Sequence, residues 1–339
     1  MKKNYLITLL IMFVICSCKN GHTNSTETIA VSGSNPPAEL EKINKELASD
    51  PNNADLLHMR ALYYLNTKEY QNSFSDMMKV LIIDSSKAAY YLTLSDIYFY
   101  TNKTRNSKRA LEKAIELDDK NTEALLKLAE LYLYVKQNDK SIEYINKVLK
   151  IDQYNAKAYF MKGMNYKDLK DTAKAISSMQ TAVEQDQNYY HAYMQLGILT
   201  AARKNPLALQ YYKNAIRIQP NSIDTWYAIG KFYQDSGDWE NAIRTYNELI
   251  ALDSQNKYAR YNLGVIYLIN LKKYNLAVDH FTEAIQVAPN YTEAYYSRGL
   301  SHQAMGNTSL AIPDFQQCLR INPDYTPAQA ELKQLNKLK

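Results

Sequence analysis

Small and apolar residues recur along this chain at an interval of 34 residues. A test for internal periods comes before any local reading, because a missed repeat misassigns the whole fold. The frame covers 54–87, 88–121, 122–155, 156–189, 190–222, 223–256, 257–291 and 292–325; the fifth unit is one residue short and the seventh one long. The eighth position reads Ala61, Ser95, Ala129, Gly163, Gly197, Gly230, Gly264 and Gly299, and the twentieth reads Ser73, Ser107, Ser141, Ala175, Ala208, Ala242, Ala277 and Ala311. Residues this small at both places predict two helices per unit, A and B, that cross with their backbones close together. The two length changes are expected in the turn between them, where they are cheap. The eleventh position carries Tyr64, Tyr98, Tyr132, Tyr166, Thr200, Tyr233, Tyr267 and His302, read as rings filling the space between helices. Leu40, Ile43 and Leu47 mark a lone helix before the array. Ala328, Leu332 and Leu335 mark one apolar face of a helix after it.

The stretch Trp226-Tyr-Ala-Ile-Gly230-Lys-Phe-Tyr233, followed by Ala242-Ile-Arg-Thr-Tyr246, resembles the tetratricopeptide repeat (TPR) signature. The resemblance spans residues 54–325 in eight copies. It implies an all-α fold: a right-handed superhelix, or α-solenoid, of about eight helix-turn-helix repeats, with a capping helix at 327–339 whose polar back stops the stacking. One cooperative array over 37–339 is expected, not two domains. Arg60, Lys162 and Arg298 depart from the signature at the seventh position, and are expected to lay their stems on the core and keep their charges in water. Arg260 replaces a bulky fourth residue. Pro313 should kink helix B of the last repeat or delay its start. Pro206 suits the first turn of helix B in the shortened repeat.

Ahead of the array the pattern changes. Lys2 and Lys3 precede an apolar run of 11 residues, Leu6 to Cys16. Spanning a bilayer takes about 20, so the run reads as a secretory signal rather than a transmembrane helix. Its end, Ile15-Cys16-Ser17-Cys18, resembles the bacterial lipobox. That resemblance implies removal of residues 1–17 as a lipoprotein signal peptide and acylation of Cys18, which would hold the chain to a membrane. Two or more acyl chains anchor stably where one is marginal. Residues 18–36, rich in Ser, Thr, Asn and Gly, read as a flexible tether with a reach of about 20–25 Å. The implied location is the cell envelope of a Gram-negative bacterium, as an outer-membrane lipoprotein facing the periplasm or the cell surface.

Composition narrows the function. Gly and Pro number 9 each in 339 residues, too few for the tight turns of a sheet-rich fold. A hydrophobic content of 46% excludes a mainly disordered chain. The net charge of +5, or +3 without Lys2 and Lys3, gives no argument for nucleic acid. Of the 3 cysteines only Cys318 lies in the body, so no disulfide framework is expected; Cys318 reads as core. His58, His191, His280 and His302 lack zinc-ligand spacing. No Gly-rich phosphate loop or nucleophile elbow occurs. No enzyme, cofactor or metal site is therefore expected. Asp171-Thr172-Ala173 resembles the O-glycosylation sequence of Bacteroidota and is expected in an exposed turn.

In TPR proteins the inner groove is lined by helix A. Carried onto this sequence, the candidate groove residues are Phe160, Met161, Met164, Met194, Tyr227, Lys231, Tyr258, Tyr261 and Asn262. Met adapts to irregular apolar partners, and Tyr offers area with a polar tip. Lys157, Lys231 and Asn262 are expected to hold backbone or carboxylate oxygens. The carboxylate clamp of chaperone-binding TPRs is not matched, because Tyr227, Glu293 and Ser297 break the set. The resemblance implies a non-enzymatic scaffold that binds segments of other envelope proteins, in the assembly of an envelope or secretion machine. The alternative is a glycan- or peptidoglycan-binding lipoprotein. Starch-utilisation lipoproteins also carry TPR helices, but bury their sugar site in Trp-rich insertions; here Trp226 and Trp239 are the only Trp residues.

Overall fold

The computed structural model describes residues 36–336; Cys18, its signal and most of the tether lie outside them. Every regular element among the described residues is helical, and the chain falls into two compact units that meet at Ser85 and Ser86. The first unit holds α1 (Pro36–Ser49), α2 (Ala54–Asn66) and α3 (Tyr70–Ile83). The second alternates A and B helices. Its A helices are α4 (Ala88–Tyr100), α6 (Thr122–Tyr134), α8 (Ala156–Asp168), α10 (Tyr190–Ala201), α12 (Ile223–Asp235), α14 (Lys257–Val265) and α16 (Thr292–Ala304). Its B helices are α5 (Thr104–Leu117), α7 (Asn138–Ile151), α9 (Thr172–Gln185), α11 (Leu207–Ile218), α13 (Trp239–Leu252), α15 (Tyr274–Val287) and α17 (Thr308–Ile321), and α18 (Thr326–Asn336) follows. Within each unit every helix packs on the next in the chain, which is the arrangement of a TPR solenoid.

The repeat junctions are closed in more than one way. At four junctions, Asp50/Asn53 among them, an Asp and an Asn three residues later lock the turn. The Asn121 amide donates to Asp118 at 3.1 Å, and its oxygen accepts from the backbone N–H of Ala124 at 3.0 Å. The same pair recurs at Asp152/Asn155 and Asp253/Asn256. At 84–87 the Asn is replaced by Lys87, whose ammonium has no acceptor with which to cap a helix. Residues 84–87 there form no regular turn.

The small positions do what their spacing predicts. Ala61, Ala129 and all eight residues at the twentieth position are buried. In two repeats the B-helix serine reaches across: Ser73 and Ser141 donate to the carbonyls of Ala61 and Ala129 at 2.7 and 2.8 Å. From repeat four onward the eighth residue is Gly, and a large side chain from helix B occupies the space. Met179, Tyr212, Tyr246, Phe281 and Phe315 lie against Gly163, Gly197, Gly230, Gly264 and Gly299, each within 2.7 Å of where a Cβ would stand. The eleventh-position rings are mostly half-buried, Tyr132 being the buried tyrosine among them. The carbonyls at this position close every A–B turn, accepting the N–H five residues on in seven repeats, as in Glu69 to Tyr64 (2.7 Å) and Gln137 to Tyr132 (2.8 Å), and six residues on in repeat seven, Lys273 to Tyr267 (2.8 Å). That Schellman geometry needs a left-handed residue. Lys68, Asn102, Lys136, Lys170, Lys204 and Lys272 supply it, with Gly237 and Gly306 at the other two turns.

Four local expectations change. The extra residue of repeat seven is absorbed not in the A–B turn but at the end of helix A, as a π-helical turn over Ile266–Asn270 closed by Leu271 N–H on the Ile266 carbonyl at 3.0 Å. Pro313 does not delay α17, which starts at Thr308 and carries the proline inside. Pro206 is the residue before α11 rather than in its first turn. Two of the three basic residues at the seventh position are paired with buried carboxylates rather than left in water. Arg60 makes a bidentate pair with buried Asp76 (2.6 and 2.8 Å), and Arg298 does the same with buried Asp314 (2.9 and 2.6 Å). Lys162 reaches Asn146 at 3.0 Å.

Candidate functional site

The outward positions of the A helices in the second unit form two chemically distinct stretches. Over repeats two to five, charged and polar groups satisfy one another across neighbouring helices. Lys127 of α6 sits 2.8 Å from Asp96 of α4, and Lys157 of α8 lies 3.9 Å from Glu130 of α6. Lys136 binds Asp168 at 2.5 Å, and Lys167 donates to Gln195 of α10 at 2.8 Å. Burial pushes Lys167 below its ordinary pKa.

Over repeats six to eight the same face is aromatic. Tyr227 of α12 lies 6.4 Å from Tyr258 of α14, centroid to centroid, and Tyr258 lies 6.1 Å from Tyr291. Tyr261 packs against Tyr291 (5.2 Å) and Phe281 (5.5 Å), and its hydroxyl is 3.3 Å from that of Ser297. Beneath the rings runs a hydrogen-bonded chain. Asn262 donates to the hydroxyls of Tyr227 (3.3 Å) and Tyr246 (3.1 Å), and Tyr246 donates to Gln234 at 2.8 Å. Tyr246 is fully buried, and burial holds its phenol far above the ordinary range. Such a phenol stays neutral and donates.

The nine groove residues expected from the sequence separate accordingly. Tyr258, at 44% exposure, offers a ring to solvent. Phe160, Met164, Tyr227 and Tyr261 are half-buried, Phe160 resting on Tyr189 at 5.0 Å. Met161 and Met194 are core, not groove. Met161 packs with Leu125, Leu126 and Ile145, and the Met194 sulfur accepts from the Thr225 hydroxyl at 3.1 Å. The reason is geometric: each sits where its helix meets a neighbouring repeat, so the stacking buries it. Lys231 is exposed but pairs with Asp235 on its own helix, and Lys157 and Asn262 are engaged as described. The three groups expected to hold partner oxygens are therefore already occupied within the chain.

Sequence reasoning missed the tyrosines at repeat ends. Tyr189, Tyr291 and Tyr325 stand where the other junctions, Lys87 apart, have Asn or Ser, and each packs on the fifth residue of the preceding A helix: Phe160, Tyr261 and Tyr296, the last pair 5.5 Å apart. The signal was the loss of the capping side chain at those three positions. The remaining singled-out residues are structural. Cys318 is fully buried, its thiol pushed up to about 12 by burial. His302 is half-buried, and burial pulls it down. Thr172 is the first residue of α9, half-buried, beside Asp171, whose carboxylate caps the helix by accepting from Lys174 N–H at 3.1 Å. Trp226 spends its N–H on the Pro220 carbonyl at 2.8 Å, and both Trp residues pack on the repeat-six core. No cluster of His, Cys, Asp and Glu among the described residues could hold a metal ion.

This stacking defines a tetratricopeptide-repeat protein, a class whose common role is to hold protein partners. Family models for the tetratricopeptide repeat match residues 258–291 and 292–325. A longer model, for the ChAPs (Chs5p-Arf1p-binding proteins), matches residues 38–264, well over half of the chain, and by that extent the chain belongs to this family. The partners in that description are those of the named proteins. Human serine/threonine-protein phosphatase 5 is 29% identical over 106 residues, 31% of this chain and 21% of its own length. The DnaJ homolog subfamily C member 7 homolog of Dictyostelium discoideum is 23% identical over 144 residues, 38% of this chain and 27% of its own. The chain thus spans about a quarter of these curated relatives. Among solved structures, Pseudomonas aeruginosa pilF aligns at TM-score 0.52 and 16% identity, covering 59% of this chain and 92% of that one. A tetratricopeptide repeat protein from Parabacteroides merdae aligns at TM-score 0.50 and 15% identity, covering 73% and 98%. At these identities the likeness is one of fold.

Proposed function

We propose that this protein is a non-enzymatic scaffold, tethered to the envelope of a Gram-negative bacterium through acylated Cys18, that binds segments of other envelope proteins on the A-helix face of repeats six to eight during assembly of an envelope or secretion machine. The observation that carries the binding site is the contrast along that face. Repeats two to five neutralise their own charges and expose only Tyr100 and Tyr134 among their A-helix Tyr and Phe rings, whereas repeats six to eight gather Tyr227, Tyr258, Tyr261 and Tyr291 into one connected cluster with Tyr258 open to solvent. Tyr is enriched among the few residues that carry most of an interface's affinity. The anchoring rests on the lipobox resemblance. The glycan-binding alternative draws no support from the two Trp side chains, which are both used in packing.

Two measurements test this. Metabolic labelling with palmitate should mark the wild-type chain and not Cys18→Ser, which should also leave the membrane fraction. Affinity purification from solubilised envelope, followed by mass spectrometry, should recover a partner that Tyr258→Ala loses and that exposed B-helix changes such as Lys174→Ala retain. Equal labelling of the Cys18→Ser chain would sink the anchor. Full recovery by Tyr258→Ala would move the binding site elsewhere.

A further inference from the structure

The aromatic stretch already holds a cation. The Lys257 ammonium lies 5.0 Å from the centroid of Tyr258 and 4.9 Å from that of Tyr291. No carboxylate of the described residues pairs with it. Its place in the helix is unfavourable. Lys257 is the first residue of α14, where the helix dipole disfavours positive charge by about 0.3–1 kcal/mol. The other seven A helices begin with Ala54, Ala88, Thr122, Ala156, Tyr190, Ile223 and Thr292, so the fold does not call for a basic residue there. An ammonium held against the dipole by two ring faces is a cation–π contact. The surroundings add to it. Burial holds Tyr291 and Tyr261 above the ordinary phenol range, and Glu293, exposed on the second residue of α16, adds to the effect on both. Glu293 thus supplies a carboxylate near both rings, a charge of the sign that draws cations.

We propose that Tyr258 and Tyr291, rimmed by Glu293, form a site for an arginine side chain on a partner segment, with Lys257 as the intramolecular occupant that the arginine displaces. This rests on the scaffold reading above and names the chemistry of the partner at that face. Guanidinium suits the site better than ammonium: it is planar, stacks on aromatic faces and sheds water more readily. Lys257 swings out on a flexible four-carbon stem, so the exchange leaves the backbone in place. A self-occupied site discriminates, because a neutral segment cannot repay displacement of the internal cation.

The test uses the full chain with ¹³C-labelled tyrosine, titrated by NMR with a pentapeptide Gly-Ser-Arg-Ser-Gly and with the same peptide carrying citrulline, a neutral group of nearly the same shape. The arginine peptide should shift the Tyr258 and Tyr291 resonances to saturation, and the citrulline peptide should leave them still. Lys257→Met removes the competitor and should tighten the arginine peptide roughly three- to tenfold. Tyr258→Leu, at an exposed position, should melt like the parent and weaken the peptide by a similar factor. Equal binding of both peptides, or no gain from Lys257→Met, overturns the proposal. An envelope partner that Tyr258→Ala loses, together with equal binding of the arginine and citrulline peptides, leaves the scaffold reading standing and sinks this one alone.

Discussion

The ring of Tyr246 occupies the space that a side chain at position 230 would need. A Cβ built on Gly230 would stand 2.7 Å from Cε1 of Tyr246, closer than real carbon atoms approach. Repeats one to three show the complementary solution. There Ala61, Ser95 and Ala129 are buried, and so are Met77, Leu111 and Ile145, sixteen residues on. Gly with a large side chain (a ring, or Met179 in repeat four) and Ala or Ser with an aliphatic one are two fillings of one crossing.

Gly230→Ala should therefore destabilise the second unit by about 1–3 kcal/mol through overpacking. Gly230→Ala combined with Tyr246→Ile should recover part of that loss, less the hydrogen bonds of the Tyr246 hydroxyl. The two sites touch, so their effects are not additive. Thermal melts of the two single variants and the double variant measure the coupling; strict additivity would mean that the ring and the glycine do not share the space.

Arg298 and Asp314 form a bidentate pair in which the carboxylate is buried. Arg298→Met leaves that carboxylate without its partner and should cost about 3 kcal/mol. Asp314→Asn keeps an acceptor for the guanidinium and should cost less. Urea titrations with an unchanged slope would read this as stability. A smaller loss in Arg298→Met than in Asp314→Asn contradicts it.

Such pairs mark how far the sequence can be read. The repeat frame, the small crossings and the buried Cys318 were legible because each is a local rule repeated at a fixed spacing. Asp76 and Asp314 were not, because a carboxylate on helix B reads as a solvated face until the arginine sixteen residues earlier is placed above it. Met161 and Met194 looked like groove residues for a similar reason. Their helix faces the groove, but the neighbouring repeat covers these positions, and only the stacking shows that. The left-handed lysines were invisible too, since lysine carries no signal for positive φ.

Buried phenols and the buried thiol make stability sensitive to alkaline pH. Burial raises Tyr212, Tyr296 and Cys318 to about 12, against ordinary values of about 10 for Tyr and 8.5 for Cys. Between those values and about 12 the unfolded chain releases protons that the folded chain keeps. The unfolded state then binds fewer protons, so stability falls as pH rises through that window and is unaffected below it. Urea midpoints should be flat from pH 7 to 8 and decline from about pH 9. A midpoint unchanged at pH 11 would show these groups to be freely hydrated.

The last prediction concerns the π-helical turn. Ile266–Asn270 holds the one residue by which repeat seven exceeds 34. A π-turn inserted in an α-helix is costly to keep and is frequently tied to function. Ile269, within the turn, is 52% exposed, so its removal deletes little packing. Deleting it should let α14 run on as α-helix to the length of its neighbours. The turn after it would keep its closing bond from Lys273 N–H to the Tyr267 carbonyl, now 2.8 Å. Stability should change by less than about 1 kcal/mol, or rise, since the deletion restores ordinary helical bonds. The Tyr267 ring, stacked on His280 at 5.3 Å with an interplanar angle of 5°, lies in the same turn and reports on the change. Its resonances should move while those of Tyr258, on the first turn of α14, stay in place. A loss above 3 kcal/mol would show that the extra residue is part of the packing of repeat seven, and that its 35-residue length is required by the fold.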